Sequence, residues 1–348
     1  MTATQASQIA PLVSQQYDKA IREGDAFFYD SDVHVIEPRV GKDEESIKTV
    51  PWHVRNVPAL LKKRQAKSEE TKEKESKPQQ NSSDVFAPPY VPNLLVKEGP
   101  DFTVLLNKFC VQPRHFLIVT RDFSKQELPP SPTMLSTVYR IIQAHTPAAD
   151  QEELLGFYNC GPNSGASQPH CHFQLLPLTP SDGVSHTVPI EALLDRIERD
   201  GKEFEHIHAL PVPWRHFVAL LQPPEKEEDF EAYLGMRFSQ LLEAMFASAL
   251  DNNDEKTAKQ GMPSFNILMT KRSLHVIPRR HESFDMREAG WDAYSDADAV
   301  PEKTGTLSIN ALGYAGMLLT CHPVELETLC KEDQRRISQV LTHTGVPF

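Results

Sequence analysis

NCGPNSGASQPHCHFQ, running from Asn159 to Gln174, is the stretch on which the reading of this chain turns. It divides into a loop and the start of a strand. The loop carries Gly161, Ser164, Gly165 and Ser167, and glycine lets main-chain N–H groups close on an anion while serine hydroxyls add further donors. From His170 onward polar and apolar residues alternate, so an extended backbone sends His170, His172 and Gln174 to one face and Cys171, Phe173 and Leu175 to the other. A phosphate could therefore be held beside two imidazoles. Two plainer readings compete with that one. A metal site would need three or four suitable ligands, and Gln174 is a poor one. A pair of histidines hydrogen-bonded at a domain edge would suffice for His-x-His alone, and the attached Gly-Ser loop is what argues against it.

On either side the chain alternates strand-like and helix-like segments. Phe102 to Phe123 is rich in β-branched and aromatic residues and is broken at Gln112-Pro113-Arg114, which predicts two strands joined by a bend. Ser131 and Pro132 then open a helix whose apolar residues Met134, Leu135, Val138, Ile141 and Ile142 fall at helical spacing. The second half repeats these ingredients, with strand-like His208 to Leu221, a helix through Phe230, Leu234, Phe238, Leu241, Leu242 and Met245, and strands around FNILMT and LHVIPRR. Val111 to Phe116 echoes Val212 to Phe217, and Val276 to His281 has a related shape. With 348 residues the chain also calls for two cores, so a duplicated α+β unit is expected, divided into 1–205 and 206–348. Val324 to Leu341 reads as one amphipathic helix facing the core. Residues 62 to 84 lack aromatic and branched apolar side chains and read as a mobile surface insertion.

Composition removes several function classes. A net charge of −12 repels nucleic-acid backbones, so a polyphosphate ligand must be met by local Lys, Arg and N–H groups. No apolar run approaches the roughly 20 residues of a membrane span, and the N-terminus has no signal-like apolar block, so a cytoplasmic protein is expected, with the nucleus as the other compartment. The five cysteines, Cys110, Cys160, Cys171, Cys321 and Cys330, form no Cys-x-x-Cys pair and fit reduced thiols.

His170-Cys171-His172-Phe173-Gln174 resembles the His-x-His-x-Gln signature of the transferase branch of the histidine triad superfamily, and Ser164 to Gln168 resembles the diadenosine tetraphosphate phosphorylases, or ATP adenylyltransferases. Phe86 to Tyr90, Leu106 to Phe109, Val276 to Arg279 and Asn310 to Met317 resemble the same family in the same order. The resemblance implies two histidine-triad-like halves, each with an antiparallel sheet flanked by helices, and places catalysis in the first. It makes His172 the nucleophile that carries AMP, with His170 holding it and Gln174 bonding the phosphate oxygens. Lys63, Asn107, Lys108, Asn159, Gly165, Ala166, Ser167, Gln168, Ser308, Ile309, Asn310 and Met317 match substrate-contacting positions of the family. Where relatives commonly carry a lysine after this segment, this chain has Cys321.

The implied reaction is phosphorolysis of diadenosine tetraphosphate to ATP and ADP, with phosphate as acceptor. A divalent cation, Mg2+, is expected to accompany the polyphosphate, with no protein-bound metal. Where histidine triad hydrolases have a third histidine this chain has Gln174, and an amide cannot exchange protons near neutral pH, which favours transfer over hydrolysis. The rival enzyme, a hexose-1-phosphate uridylyltransferase, usually has proline between its histidines and cysteine zinc ligands. A non-catalytic nucleotide sensor is the rival from another class, and it leaves the retention of His172 and Gln174 unexplained.

Overall fold

The computed structural model describes residues 1–37, 50–61, 84–145, 153–178, 187–199, 204–250, 262–291, 304–331 and 334–348. Nine strands form the main sheet: β1 (Leu95–Glu98), β2 (Phe102–Leu106), β3 (Phe116–Thr120), β4 (Glu153–Cys160), β5 (His172–Leu178), β6 (Ile207–Ala209), β7 (Phe217–Leu220), β8 (Phe265–Met269) and β9 (Ser273–Pro278). They lie side by side in the order β6-β7-β9-β8-β4-β5-β3-β2-β1, and every neighbouring pair is antiparallel. The fold is α+β, and the two antiparallel halves meet edge to edge in one sheet. Their seam runs between β4 and β8, where Asn159 stands opposite Asn266 and Phe157 opposite Leu268.

Counted outward from that seam the halves correspond: β4 with β8, β5 with β9, β3 with β7, β2 with β6. Helix Pro132–Ala144 lies between β3 and β4 in sequence, and helix Phe230–Leu250 lies between β7 and β8. The first of these opens as its sequence dictates, with Ser131 Oγ accepting from Met134 N at 3.1 Å. The two helices pack against each other and cover one face of the sheet, where Met134, Val138, Ile142, Tyr158, Phe173, Leu241 and Phe265 are buried together. The opposite face is covered by Trp52, Trp214, Tyr314, Ile337 and Val340, packed on Phe157, Leu176, Leu268 and Ile277. Trp52 comes from the first half: strand Trp52–Asn56 pairs in parallel with Met317–Thr320 and antiparallel with Asp32–Ile36.

Three sequence expectations need correction. His208 to Leu221 is two strands, because the chain turns between Leu210 and His216 before pairing back on itself. Val324 to Leu341 lies in two helices, Pro323–Leu329 and Arg335–Thr344, the second preceded by Gln334 at φ +71°. Between β2 and β3 a short strand, Phe109–Cys110, leaves the sheet to pair with Phe27–Phe28. The expected 62–84 insertion lies outside the described residues except for Asp84, which packs into the site.

Candidate active site

His172 opens β5 beside β3, opposite Val119, with Gln174 opposite Leu117. Its side chain is 2 % exposed. Nδ1 lies 2.8 Å from the carbonyl oxygen of His170. A carbonyl only accepts, so Nδ1 carries the proton and Nε2 carries the lone pair. Burial lowers the pKa of the ring to about 4, outweighing the hydrogen bond to the His170 carbonyl, which acts the other way, so His172 is neutral at physiological pH. A neutral imidazole with a defined Nε2 lone pair is a nucleophile in waiting.

The main chain around it is held from the side. Gln126, which sequence reading passed over, is buried in the gap where β4 and β5 splay apart. Its Oε1 accepts from His172 N at 2.7 Å, and its Nε2 donates to His172 O at 3.3 Å and Asn159 O at 2.8 Å. His170 is clamped separately: Nδ1 lies 2.8 Å from Asp84 Oδ2, and Nε2 lies 2.8 Å from Thr120 O and 3.0 Å from Thr120 Oγ1. The ring of Phe86 stands 5.0 Å from that of His172.

Gln174 brings in a third histidine. His115 precedes β3 and is fully buried, and burial lowers its pKa to about 4. Asn107 Nδ2 donates to its Nδ1 at 2.8 Å. Its Nε2 has no hydrogen-bond partner; the Gln174 amide lies close enough to favour protonation but outside hydrogen-bonding geometry. Asn107, expected at the substrate, is thus tied to the strand face of Gln174. Lys108 follows it with Nζ 5.7 Å from the centre of the Phe109 ring and 6.0 Å from that of Phe27. His115 was visible in the sequence only as part of the internal echo.

The loop from Gly161 to Gln168 turns through Gly161 at φ +85° and Gly165 at φ +82°. Ser164 does not face a ligand as expected: its buried hydroxyl donates to Gly161 O at 2.6 Å, because the turn leaves that carbonyl inward. Ala166, Ser167 and Gln168 are exposed or half-buried and remain available. Asn159 is 1 % exposed and acts as a seam residue, its Oδ1 accepting from Asn266 Nδ2 at 2.8 Å and from Ala311 N at 3.0 Å. Arg279 locks the same seam, donating to Asn266 Oδ1, Ser164 O, Ile309 O and Thr344 O. These bonds carry Ser308, Ile309 and Asn310 of the second half to the catalytic loop. Met317 lies further along, at the start of the strand paired with His53. Cys321 is buried, its N donating to Glu325 Oε2 at 2.7 Å, so no cation occupies that position. Lys63 lies outside the described residues. Among the described residues no group of three or more His, Cys, Asp and Glu side chains could hold a metal ion.

The second half has its own version of this face. His216 precedes β7 as His115 precedes β3, and Ser273 and His275 sit on β9 where β5 has His172 and Gln174. There His216 Nε2 meets His275 Nδ1 at 2.9 Å, His275 Nε2 meets Ser273 Oγ at 2.8 Å, and Ser273 Oγ donates to Glu191 at 2.7 Å. All three are 0–1 % exposed, so that face is closed.

Comparison with known families covers both halves of the chain. The model for the Ap4A phosphorylase N-terminal domain matches residues 3–196, and that for the ATP adenylyltransferase C-terminal domain matches residues 210–347. The chain belongs to the Ap4A phosphorylase family. Among its relatives, diadenosine 5',5'''-P1,P4-tetraphosphate phosphorylase 2 of Saccharomyces cerevisiae is 30% identical over 262 residues, covering 71% of this chain and 70% of that one. Protein APA1 of the same yeast is 26% identical over 98% of this chain and 95% of its own. The crystal structure of yeast Ap4A phosphorylase Apa2 superposes with a TM-score of 0.70 at 25% identity, covering 97% of both chains. The Apa2 complex with Ap4A gives 0.69 at 24% identity, again covering 97% of each chain. As an Ap4A phosphorylase family member the chain is a nucleotidyltransferase, and His172 stands at the start of β5, after the glycine loop in sequence.

Proposed function

We propose that the chain catalyses phosphorolysis of diadenosine tetraphosphate, and the observation that carries this is the hydrogen bond from His172 Nδ1 to His170 O. Nε2 attacks the phosphorus of one terminal adenylate; an N–P bond forms, the P–O bond to the rest breaks, and ATP departs. The modified ring is then cationic and still donates from Nδ1, so the His170 carbonyl stabilises the charge and the imidazole stays a good leaving group. An oxygen of inorganic phosphate attacks next, the N–P bond breaks, and ADP leaves with the neutral ring restored. Family resemblance and the accessible Ala166 to Gln168 loop, with Ser167 exposed, support adenylate recognition there, and in this reading Gln174 donates to a non-bridging oxygen.

The cation that accompanies the polyphosphate in this reading is Mg2+, a hard ion suited to the substrate's own phosphate oxygens. A cytosolic enzyme fits five free thiols, and no described helix is long and apolar enough to cross a membrane. The test is incubation with diadenosine tetraphosphate with and without phosphate, followed by chromatography. ATP and ADP that appear only with phosphate are the expected products; AMP and ATP alone would replace phosphorolysis by hydrolysis.

A further inference from the structure

We propose that Asp84 is a positioning residue for adenylyl transfer, one carboxylate that both fixes the nucleophilic histidine and seats the ring that keeps water from it; this rests on the phosphorolysis reading above. Its two oxygens do different things. Oδ2 lies 2.8 Å from His170 Nδ1, while Oδ1 accepts from Phe86 N at 3.0 Å. The first contact, with Thr120 on the far side of the ring, stops residue 170 from turning. That residue's carbonyl is what holds the proton on His172 Nδ1, so the clamp reaches the reactive nitrogen through the main chain.

The second contact turns the chain so that Phe86 comes to rest 5.0 Å from His172 and packs with Tyr90 on Leu105, Leu117 and Val119, the apolar surface flanking the catalytic strand face. Once the N–P bond has formed, a water molecule that reached phosphorus would form a P–O bond, break N–P and release AMP in place of ADP. An apolar ring beside the imidazole has no group to orient such a water. A phosphate ion drawn in by the loop donors does not need orienting from that side.

Because the oxygens act separately, substitutions separate them. In Asp84→Asn the remaining oxygen still accepts from Phe86 N, but an NH2 group faces His170. Adenylylation of His172 and kcat should fall about 10- to 100-fold, the order expected when a reacting atom is misaimed, with KM and the AMP-to-ADP ratio unchanged. Asp84→Ala should show the same loss and also a raised AMP-to-ADP ratio. Phe86→Ala should raise the ratio whatever its effect on the rate of adenylylation, and Phe86→Leu should restore it. Nitrogen-15 histidine spectra give a readout independent of turnover: a single Nδ1–H tautomer for His172 in the parent, and a mixture in Asp84→Asn.

Parent-like adenylylation in Asp84→Asn, or an unchanged His172 tautomer, would overturn the clamp. An unchanged AMP-to-ADP ratio in both Phe86→Ala and Asp84→Ala would overturn the shield. If the parent protein fails to convert diadenosine tetraphosphate at all, the phosphorolysis reading falls by itself, and the spectra still decide whether Asp84 sets the tautomer.

Discussion

Gly165 in the first half rests directly on Asn310 in the second: a Cβ on this glycine would stand 2.9 Å from Asn310 Cβ and 2.8 Å from the neighbouring Ile309 O. The glycine also sits at φ +82°, a conformation that costs a residue with a side chain about 1–3 kcal/mol. Gly165→Ala should therefore lower the melting temperature by several degrees and raise KM for the dinucleotide, because loop and Asn310 must part. An unchanged KM would mean that this contact does not shape the substrate site.

Removing the nucleophile should remove the reaction. His172→Asn is expected to lower kcat by about 1000-fold or more, since the covalent route is lost and not merely slowed. His170→Ala should be milder, as its carbonyl survives while its ring clamp does not. Rapid-quench detection of the adenylylated protein separates the two: none in His172→Asn, slow formation in His170→Ala. Equal loss in both would leave the roles that the geometry separates without support.

The pH dependence follows from burial. His172 has its pKa lowered to about 4, so its lone pair is available throughout the range above that value, and adenylylation should stay level from pH 7 down to about pH 5. Stability behaves differently. The unfolded chain takes up protons on His115, His172 and His275 as pH falls below their ordinary value near 6.5, whereas the folded chain refuses them until about 4 for His115 and His172 and about 3 for His275. Stability is thus full above pH 6.5 and declines as pH falls from there toward 4. Urea melts at pH 7 and pH 5 measure the slope. His275→Gln, which can still accept from His216 and donate to Ser273, should make that slope shallower.

Gln174→His should raise the ratio of AMP to ADP at a fixed phosphate concentration, because an imidazole can take a proton from water and an amide cannot. His115 beside it would then share the new ring's proton. Gln174→Ala should depress both products alike by withdrawing a donor from the transition state. A parent-like ratio in Gln174→His would move the choice between water and phosphate to another group, with Phe86 the nearest candidate.

The sequence carried the parts of this molecule that repeat locally. Period-two alternation from His170 to Leu175 put the two histidines and Gln174 on one face, and Ser131-Pro132 marked a helix start to the residue. It also held the duplication, as the paired Val111–Phe116 and Val212–Phe217 segments. What it did not carry were relations that depend on distant packing. Gln126 drew no reading and His115 appeared only within a strand-like stretch and its echo, because what defines them is the gap between two strands and the neighbour across a sheet. Asp84 was read with a polar run whose composition masked its partner, His170, 86 residues on. Ser164 was misread because serine beside glycine suits an anion loop equally well whether its hydroxyl turns out or in.

The seam between β4 and β8 joins two related halves that one polypeptide tethers together. A sheet assembled from separate copies would come apart on dilution and would impose every substitution on both copies at once. Here neither constraint applies. In the half that holds His216 and His275 those side chains close on one another in a sealed polar chain, whereas in the other half the loop ahead of His172 keeps Ser167 exposed. A substitution at His216 or His275 thus changes one half alone and leaves the residues at the matching places in the other, His115 and Gln174, as they are.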